Sequence, residues 1–140
     1  MKKIALVYYS GTGNTEAMAK AIEEELNGKA DVATIAPEAF GPGDIAAYDA
    51  FAFGCPAMGS EVLEEEVFEP MFASIEKSLP GKKILLFGSY GWGDGEWMRN
   101  WEERCIADGA VLASSPVIAN EAPDDEAIEA LKKAANSLIA

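Results

Sequence analysis

No histidine occurs anywhere in the 140 residues, which removes the commonest general base and the commonest transition-metal ligand. Cysteine is nearly as scarce: Cys55 and Cys105 stand alone, without the spacing of a metal or redox pair, and read as reduced packing residues. Basic side chains are outnumbered 24 to 11, for a net charge of −13. A nucleic acid would be repelled by such a chain and is excluded as a partner. No apolar run approaches the ~20 residues that a membrane-spanning helix needs. Lys2-Lys3 and the apolar residues after them imitate a signal peptide. That run is too short and has no small-residue cleavage site, so a cytoplasmic protein is expected. Repeats, linkers and low-complexity tracts are missing too. With 49% hydrophobic residues, the chain can build one domain, residues 1–140, around a real core.

What is present is an alternation of apolar runs and helical patterns. Strands are expected at Ile4–Tyr9, Asp31–Ile35, Ala50–Gly54, Lys83–Gly88 and Ala110–Ile118. The last is interrupted by Ser114-Ser115-Pro116, which suits an edge position. Helical spacing appears at Ala17, Met18, Ala21, Ile22 and Leu26, and briefly near Asp44–Ala47. It returns at Leu63, Val67, Met71, Ile75 and Leu79, with a bend expected at Pro70. Trp97, Trp101 and Cys105 mark another helix, with both tryptophans in the core, and a final helix begins near Asp124. Five strands alternating with helices indicate a doubly wound α/β parallel sheet, whose ligands bind beyond the strand C-terminal ends. Glu61, Glu64, Glu65, Glu66, Asp94, Glu96, Glu121, Asp124 and Asp125 all follow such ends, while Lys2-Lys3 and Lys82-Lys83 precede strands. An acidic rim is therefore expected at the ligand-binding edge, fit to steer a basic partner.

Three loops at that edge carry the chemistry. Ser10-Gly11-Thr12-Gly13-Asn14-Thr15-Glu16 joins the first strand to its helix and contains no cation. The helix N-terminus and the hydroxyls suit a phosphate held by neutral donors. A P-loop would need a Gly-Lys-Ser/Thr ending, and a dinucleotide fold would need a third glycine where Glu16 stands. Cys55-Pro56-Ala57-Met58-Gly59-Ser60-Glu61 follows the third strand, and Ser89-Tyr90-Gly91-Trp92-Gly93-Asp94-Gly95 the fourth. Trp92, between two glycines, has little local scaffold; it reads as a platform for a flat ring, against the plainer reading of a loop-packing tryptophan. Met58 serves either as the opposite wall or as a gap-filler.

These three motifs, in this order and covering essentially the whole chain, resemble those of the short-chain flavodoxins. The resemblance implies a five-stranded sheet of order 2-1-3-4-5 in an α/β/α sandwich. It implies non-covalent FMN and a low-potential one-electron carrier, not an enzyme, that cycles mainly between semiquinone and hydroquinone. It assigns Ser10, Gly11, Thr12, Gly13, Asn14 and Thr15 to the FMN phosphate. Met58 and Trp92 would flank the isoalloxazine ring, and Glu61 would accept from the flavin N3–H. Tyr90, Gly91 and Gly93 would meet the ring edge through the backbone, with Ser89 and Asn120 toward the flavin or ribityl side. Pro56, Ala57 and Gly59 complete the central loop; relatives with serine at the position of Pro56 use its hydroxyl on the phosphate, which proline cannot do. Ser60 replaces an acidic residue of some relatives.

In that family the peptide at Met58–Gly59 is expected to rotate so that its carbonyl meets the flavin N5–H. Implied partners are redox proteins with basic docking faces, namely low-potential iron–sulfur oxidoreductases and flavin reductases, with no membrane association and a monomeric carrier. A nicotinamide-dependent flavin reductase would need basic residues near the loops. Arg99 and Arg104 are expected on a solvated face instead. A phospho-accepting receiver domain would need an aspartate where Gly54-Cys55-Pro56 ends the third strand.

Overall fold

Central strands of a parallel sheet are covered on both faces and so read as unbroken apolar runs. The computed structural model describes residues 1–140 and shows this in β1 (Lys3–Tyr8). Ile4 and Leu6 face one core, Ala5 and Val7 the other, all fully buried. β3 (Ala50–Gly54) and β4 (Lys83–Tyr90) behave alike, whereas the edge strand β2 (Asp31–Ile35) is only partly covered. All pairings are parallel, in the order β2-β1-β3-β4-β5 expected from the resemblance. The far edge is made of two pieces, β5 (Val111–Leu112) and β6 (Val117–Asn120), each paired to β4. Ser114-Ser115-Pro116 divides them, because proline has no N–H for the ladder.

Helices α1 (Asn14–Leu26) and α4 (Asp125–Leu138) cover one face, where Met18, Ile22 and Leu131 pack on Leu6, Leu85 and Phe87. On the other face lie α2 (Phe68–Ile75) and α3 (Glu96–Ala107). Trp101 meets Phe68 and Phe72 edge-on, at centroid distances of 5.4 and 5.6 Å. Each large apolar side chain buried this way contributes about 1.5–3 kcal/mol. No helix is long and apolar enough to cross a membrane.

Several boundaries differ from the expected ones. Ala17 is exposed; the covered face of α1 is Thr15, Met18, Ala19, Ala21, Ile22 and Leu26. The first strand stops at Tyr8, and Pro42–Ala47 is a 3-10 helix. The helix expected across Leu63–Leu79 shrinks to α2, followed by a 3-10 turn at Glu76–Ser78. Pro70 falls in the first turn of α2, where a missing N–H has no intrahelical partner to lose, so it bends nothing. Leu63 and Leu79 are buried from the flanking turns.

Arg104 also departs from expectation. It lies half-buried with its guanidinium 5.1 Å from the centre of the Phe72 ring. Both Nη atoms donate to Glu69 at 2.7 Å, and Nε donates to Glu76 at 2.6 Å. Those partners lie 28 and 35 residues away, beyond the reach of a local pattern. Pairing with Glu69 first, and then with Glu76, raises its pKa and keeps it charged.

Candidate functional site

The strand order reverses between β1 and β3, and ligands of such sheets bind beyond the strand C-terminal ends at that point. The three loops meet there and are tied together by backbone and side-chain bonds. Tyr9 N–H donates to the Gly54 carbonyl and Ala57 N–H to the Ser89 carbonyl, both at 3.0 Å. The buried hydroxyls of Thr15 and Ser89 share a hydrogen bond of 3.0 Å, linking the first loop to the third. Trp97 Nε1 donates to the Cys55 carbonyl at 3.1 Å, tying α3 to the end of β3.

In the first loop the left-handed conformation of Gly13, with φ 94°, turns the chain into α1. Ser10 Oγ accepts from the N–H groups of Gly13 and Glu16 at 3.2 Å each. The N–H groups of Thr12, Asn14 and Thr15 have no hydrogen bond within the chain. Thr12 is exposed and Asn14 half-buried, whereas Thr15 is buried. The result is a concave set of neutral donors at the positive end of a helix dipole.

The second loop is a tight antiparallel turn. Met58 N–H donates to the Val62 carbonyl at 2.8 Å, and Val62 N–H donates to the Met58 carbonyl at 3.0 Å. The Met58 carbonyl, expected to turn toward the flavin N5–H, is therefore engaged with Val62 in this structure. The Gly59 carbonyl and the Ser60 N–H make no hydrogen bond within the chain, and the φ of Gly59 is 52°. Pro56, Ala57 and Met58 are half-buried. Burial pushes the Cys55 thiol up to about 12. Its sulfur accepts from Glu64 N–H at 3.4 Å, so it packs and does not react.

Two acids assigned to the rim are buried instead. Glu64 is 5% exposed and accepts from the N–H groups of Glu66, Val67 and Phe68 at 2.7–2.8 Å. Burial works against its charge, but these donors outweigh it and hold its pKa below the usual value. Glu61 is 8% exposed and adopts a left-handed φ of 60°. Its Oε2 accepts from Trp97 N–H at 3.0 Å, while Oε1 is buried with no donor. The carboxylate fills the space that a Cβ on Gly93 would need.

In the third loop Trp92 is 69% exposed and takes no part in ring–ring contacts, which removes the loop-packing reading. Trp97 and Trp101 are each 1% exposed, as core residues should be. Tyr90 is half-buried with its ring 5.6 Å from Trp97, and Gly91 and Gly93 are exposed beside the indole. The Asn120 amide is turned to the carbonyls of Tyr90 and Gly91, at 3.4 and 3.3 Å. Arg99 is exposed but engaged, donating to the Asp94 carbonyl at 2.9 Å and to its carboxylate at 3.1 Å. The roles of Glu64 and of the Trp97 N–H at this edge have little signal in the sequence. Only a glutamate shortly before a helix start hinted at the first.

These residues fit FMN. The free donors of the first loop suit a phosphate, the bare indole a flat ring, and the orphaned Glu61 oxygen a ring N–H. The Flavodoxin family model matches residues 6–134. The flavodoxin of Megasphaera elsdenii is 48% identical over 123 residues, covering 87% of this chain and 89% of that protein. The flavodoxin of Clostridium beijerinckii is 47% identical over 136 residues, 94% of this chain and 98% of that one. The solution structure of two-electron reduced Megasphaera elsdenii flavodoxin matches with a TM-score of 0.85 at 47% identity, over 95% of this chain and 98% of that chain. Loops, topology and likenesses agree, and the chain belongs to the flavodoxin family, among its short-chain members.

Proposed function

We propose that residues 1–140 form one FMN-binding domain whose three loops hold the cofactor as Ser10–Thr15 on the phosphate, Met58 and Trp92 about the ring, and Glu61 on N3–H. Membership of the family makes the chain an FMN-dependent electron carrier and not an enzyme. The observation that carries the residue roles is the Glu61 carboxylate, with one oxygen held by Trp97 N–H and the other buried without a donor. A buried acceptor left so is costly, by about 1–3 kcal/mol, until a ligand supplies its N–H.

FMN supplies one-electron redox chemistry when bound; the chain sets where that chemistry falls in energy. The Gly59 carbonyl, without a hydrogen bond within the chain, would be the group available to accept from a flavin N–H if the Gly59–Ser60 peptide turned. Gly59 already holds a positive φ of 52°, and without a Cβ its peptide can reorient at little steric cost. The neutral first loop leaves the phosphate charge uncompensated. Glu61 and the net charge of −13 add negative potential in a partly desolvated site, which opposes the second electron. A strongly reducing second step follows.

The exposed acids Glu65, Glu66, Asp94 and Glu121 border the site and favour docking of redox proteins with basic faces, such as low-potential iron–sulfur oxidoreductases and flavin reductases. The same charge opposes self-association, in keeping with a monomer. The two buried free thiols suit the reducing cytoplasm. The test is the visible spectrum of the purified protein, identification of the released chromophore, and a spectroelectrochemical titration. Bound FMN with two well-separated one-electron steps is expected. A colourless protein without affinity for added FMN would refute the assignment.

A further inference from the structure

We propose that Asn120 and Glu121 are positioning residues for the flavin site: they fix the loop that carries Trp92 without touching the cofactor. The inference rests on the FMN reading above. Between Tyr90 and Gly95 the loop is half glycine, and its one large side chain, Trp92, points away from any packing partner. Order in such a segment has to come from its backbone polar groups. The Tyr90 carbonyl accepts from Glu121 N–H at 2.7 Å and from the Asn120 amide at 3.4 Å; the same amide reaches the Gly91 carbonyl at 3.3 Å. At the far end Arg99 holds Asp94. Trp92 sits between these two anchors.

Backbone strain points the same way. Glu61 and Glu121 are the only non-glycine residues with positive φ, at 60° and 58°, and both bear on this loop. Glu61 fills the space beside Gly93, and Glu121 aims its N–H at Tyr90. A left-handed non-glycine residue is strained and persists only where its surroundings impose it. Here they do: Asn120 is the last residue of β6, in register with Tyr90, and Asp124 accepts from Ala127 N–H at 2.8 Å to cap α4. The chain has to turn sharply between them. The conformation that accomplishes the turn sends Glu121 N–H back onto the aromatic loop.

A plain connection between β6 and α4 would leave the indole indifferent to either residue, so three substitutions decide. Asn120→Asp keeps the size and loses the amide donors. Glu121→Val sets a β-branched side chain against the positive φ. Glu121→Gly, the rescue variant, keeps the N–H and accepts that φ while losing the carboxylate. Trp97 and Trp101 are each 1% exposed, so acrylamide quenching and the fast anisotropy decay of tryptophan fluorescence report Trp92. They are read on the full chain freed of FMN, and on the reloaded protein FMN affinity and both one-electron potentials are measured.

Asn120→Asp and Glu121→Val are expected to enlarge the fast decay and to weaken FMN about three- to tenfold, the loss of one or two ordinary hydrogen bonds. Both one-electron potentials should shift with the affinity. Glu121→Gly should stay within about twofold of wild type in every readout. Should Glu121→Val not fold, Glu121→Ala is read in the same way. The inference is overturned if Glu121→Gly weakens FMN as much as the valine variant, for then the carboxylate acts directly. It is equally overturned if Asn120→Asp impairs FMN binding with an unchanged decay. Wild-type protein that takes up no FMN would fail the FMN reading instead, and the fluorescence measurements on the free chain would still judge the brace.

Discussion

Glu61 and Glu64 stand three residues apart in one acidic run, and both are buried. Their surroundings differ in one respect. Glu64 has both oxygens filled by three backbone N–H groups at the start of α2; Glu61 has one oxygen filled by Trp97 and one left over. A buried carboxylate with a complete set of donors belongs to the fold. One with an incomplete set is prepared for something that brings the missing donor, so equal burial of two acids carries different meanings.

The largest expected effect comes from breaking the complete one. Glu64→Ala strips the N-terminus of α2 of its charged acceptor and should lower stability by about 2–3 kcal/mol, by analogy with lost caps and charge-assisted hydrogen bonds. Urea denaturation of the FMN-free chain measures it, and the redox potentials of the loaded protein should hardly move. The pH dependence has a definite sign. Because the folded pKa of Glu64 is depressed, its contribution is present above the unfolded carboxylate pKa and vanishes as pH falls through the folded value. Wild type and variant should therefore converge in acid. A gap that stays constant down to low pH would mean that the side chain stabilises by packing alone.

Glu61→Gln breaks the incomplete one. The glutamine carbonyl can still accept from Trp97 N–H, but its amide group sets donors where an acceptor is needed. FMN affinity is expected to drop about tenfold, or ~1.4 kcal/mol. Stability without FMN should change by no more than about 0.5 kcal/mol. If Glu61→Gln destabilises the free chain as strongly as Glu64→Ala, the contrast between the two acids is false.

The same contrast marks how far sequence alone reaches. The alternation of strands and helices, the broken edge strand and the glycine-rich loops are local patterns, and they were legible. So was the bare indole of Trp92, because two flanking glycines leave it no local support. The inward turn of Glu61 and Glu64 was not. It depends on donors supplied by a helix start and by Trp97, 36 residues on, and on a left-handed glutamate that no composition rule announces. The ion pairs of Arg104 are illegible in sequence for the same reason, its partners lying on α2 and the turn after it. The engagement of the Met58 carbonyl with Val62 has no sequence signal, because that bond closes a turn the apolar spacing assigns to no element.

Gly59 sharpens the comparison from the backbone side, since it shares a turn with Glu61. A valine there opposes the left-handed φ, at a cost of at least about 1 kcal/mol. If the Gly59 carbonyl serves as the acceptor at the ring edge, the first one-electron potential should fall toward the second by at least roughly 40 mV, that energy expressed for one electron. Glu61 is untouched by the change, so FMN affinity in the oxidised state should stay close to wild type. Potentials that remain fixed would take the Gly59 peptide out of the redox chemistry.

Glu65 and Glu66 follow directly on Glu64 and are exposed, so they separate position in the acidic run from burial. The paired change Glu65→Gln with Glu66→Gln should alter stability by less than about 0.5 kcal/mol and FMN affinity not at all, because exposed charges interact through water and salt. Its effect belongs to association: a basic redox partner should dock more slowly, and the dependence of the rate on ionic strength should flatten. Stopped-flow electron transfer across a salt series reads both. An unchanged salt slope would shift the docking surface elsewhere on the rim, toward Asp94 and Glu121. Of the buried pair, Glu64 is satisfied by the fold and Glu61 is left with an oxygen for a ligand, while the exposed pair beside them should change only how quickly a partner arrives.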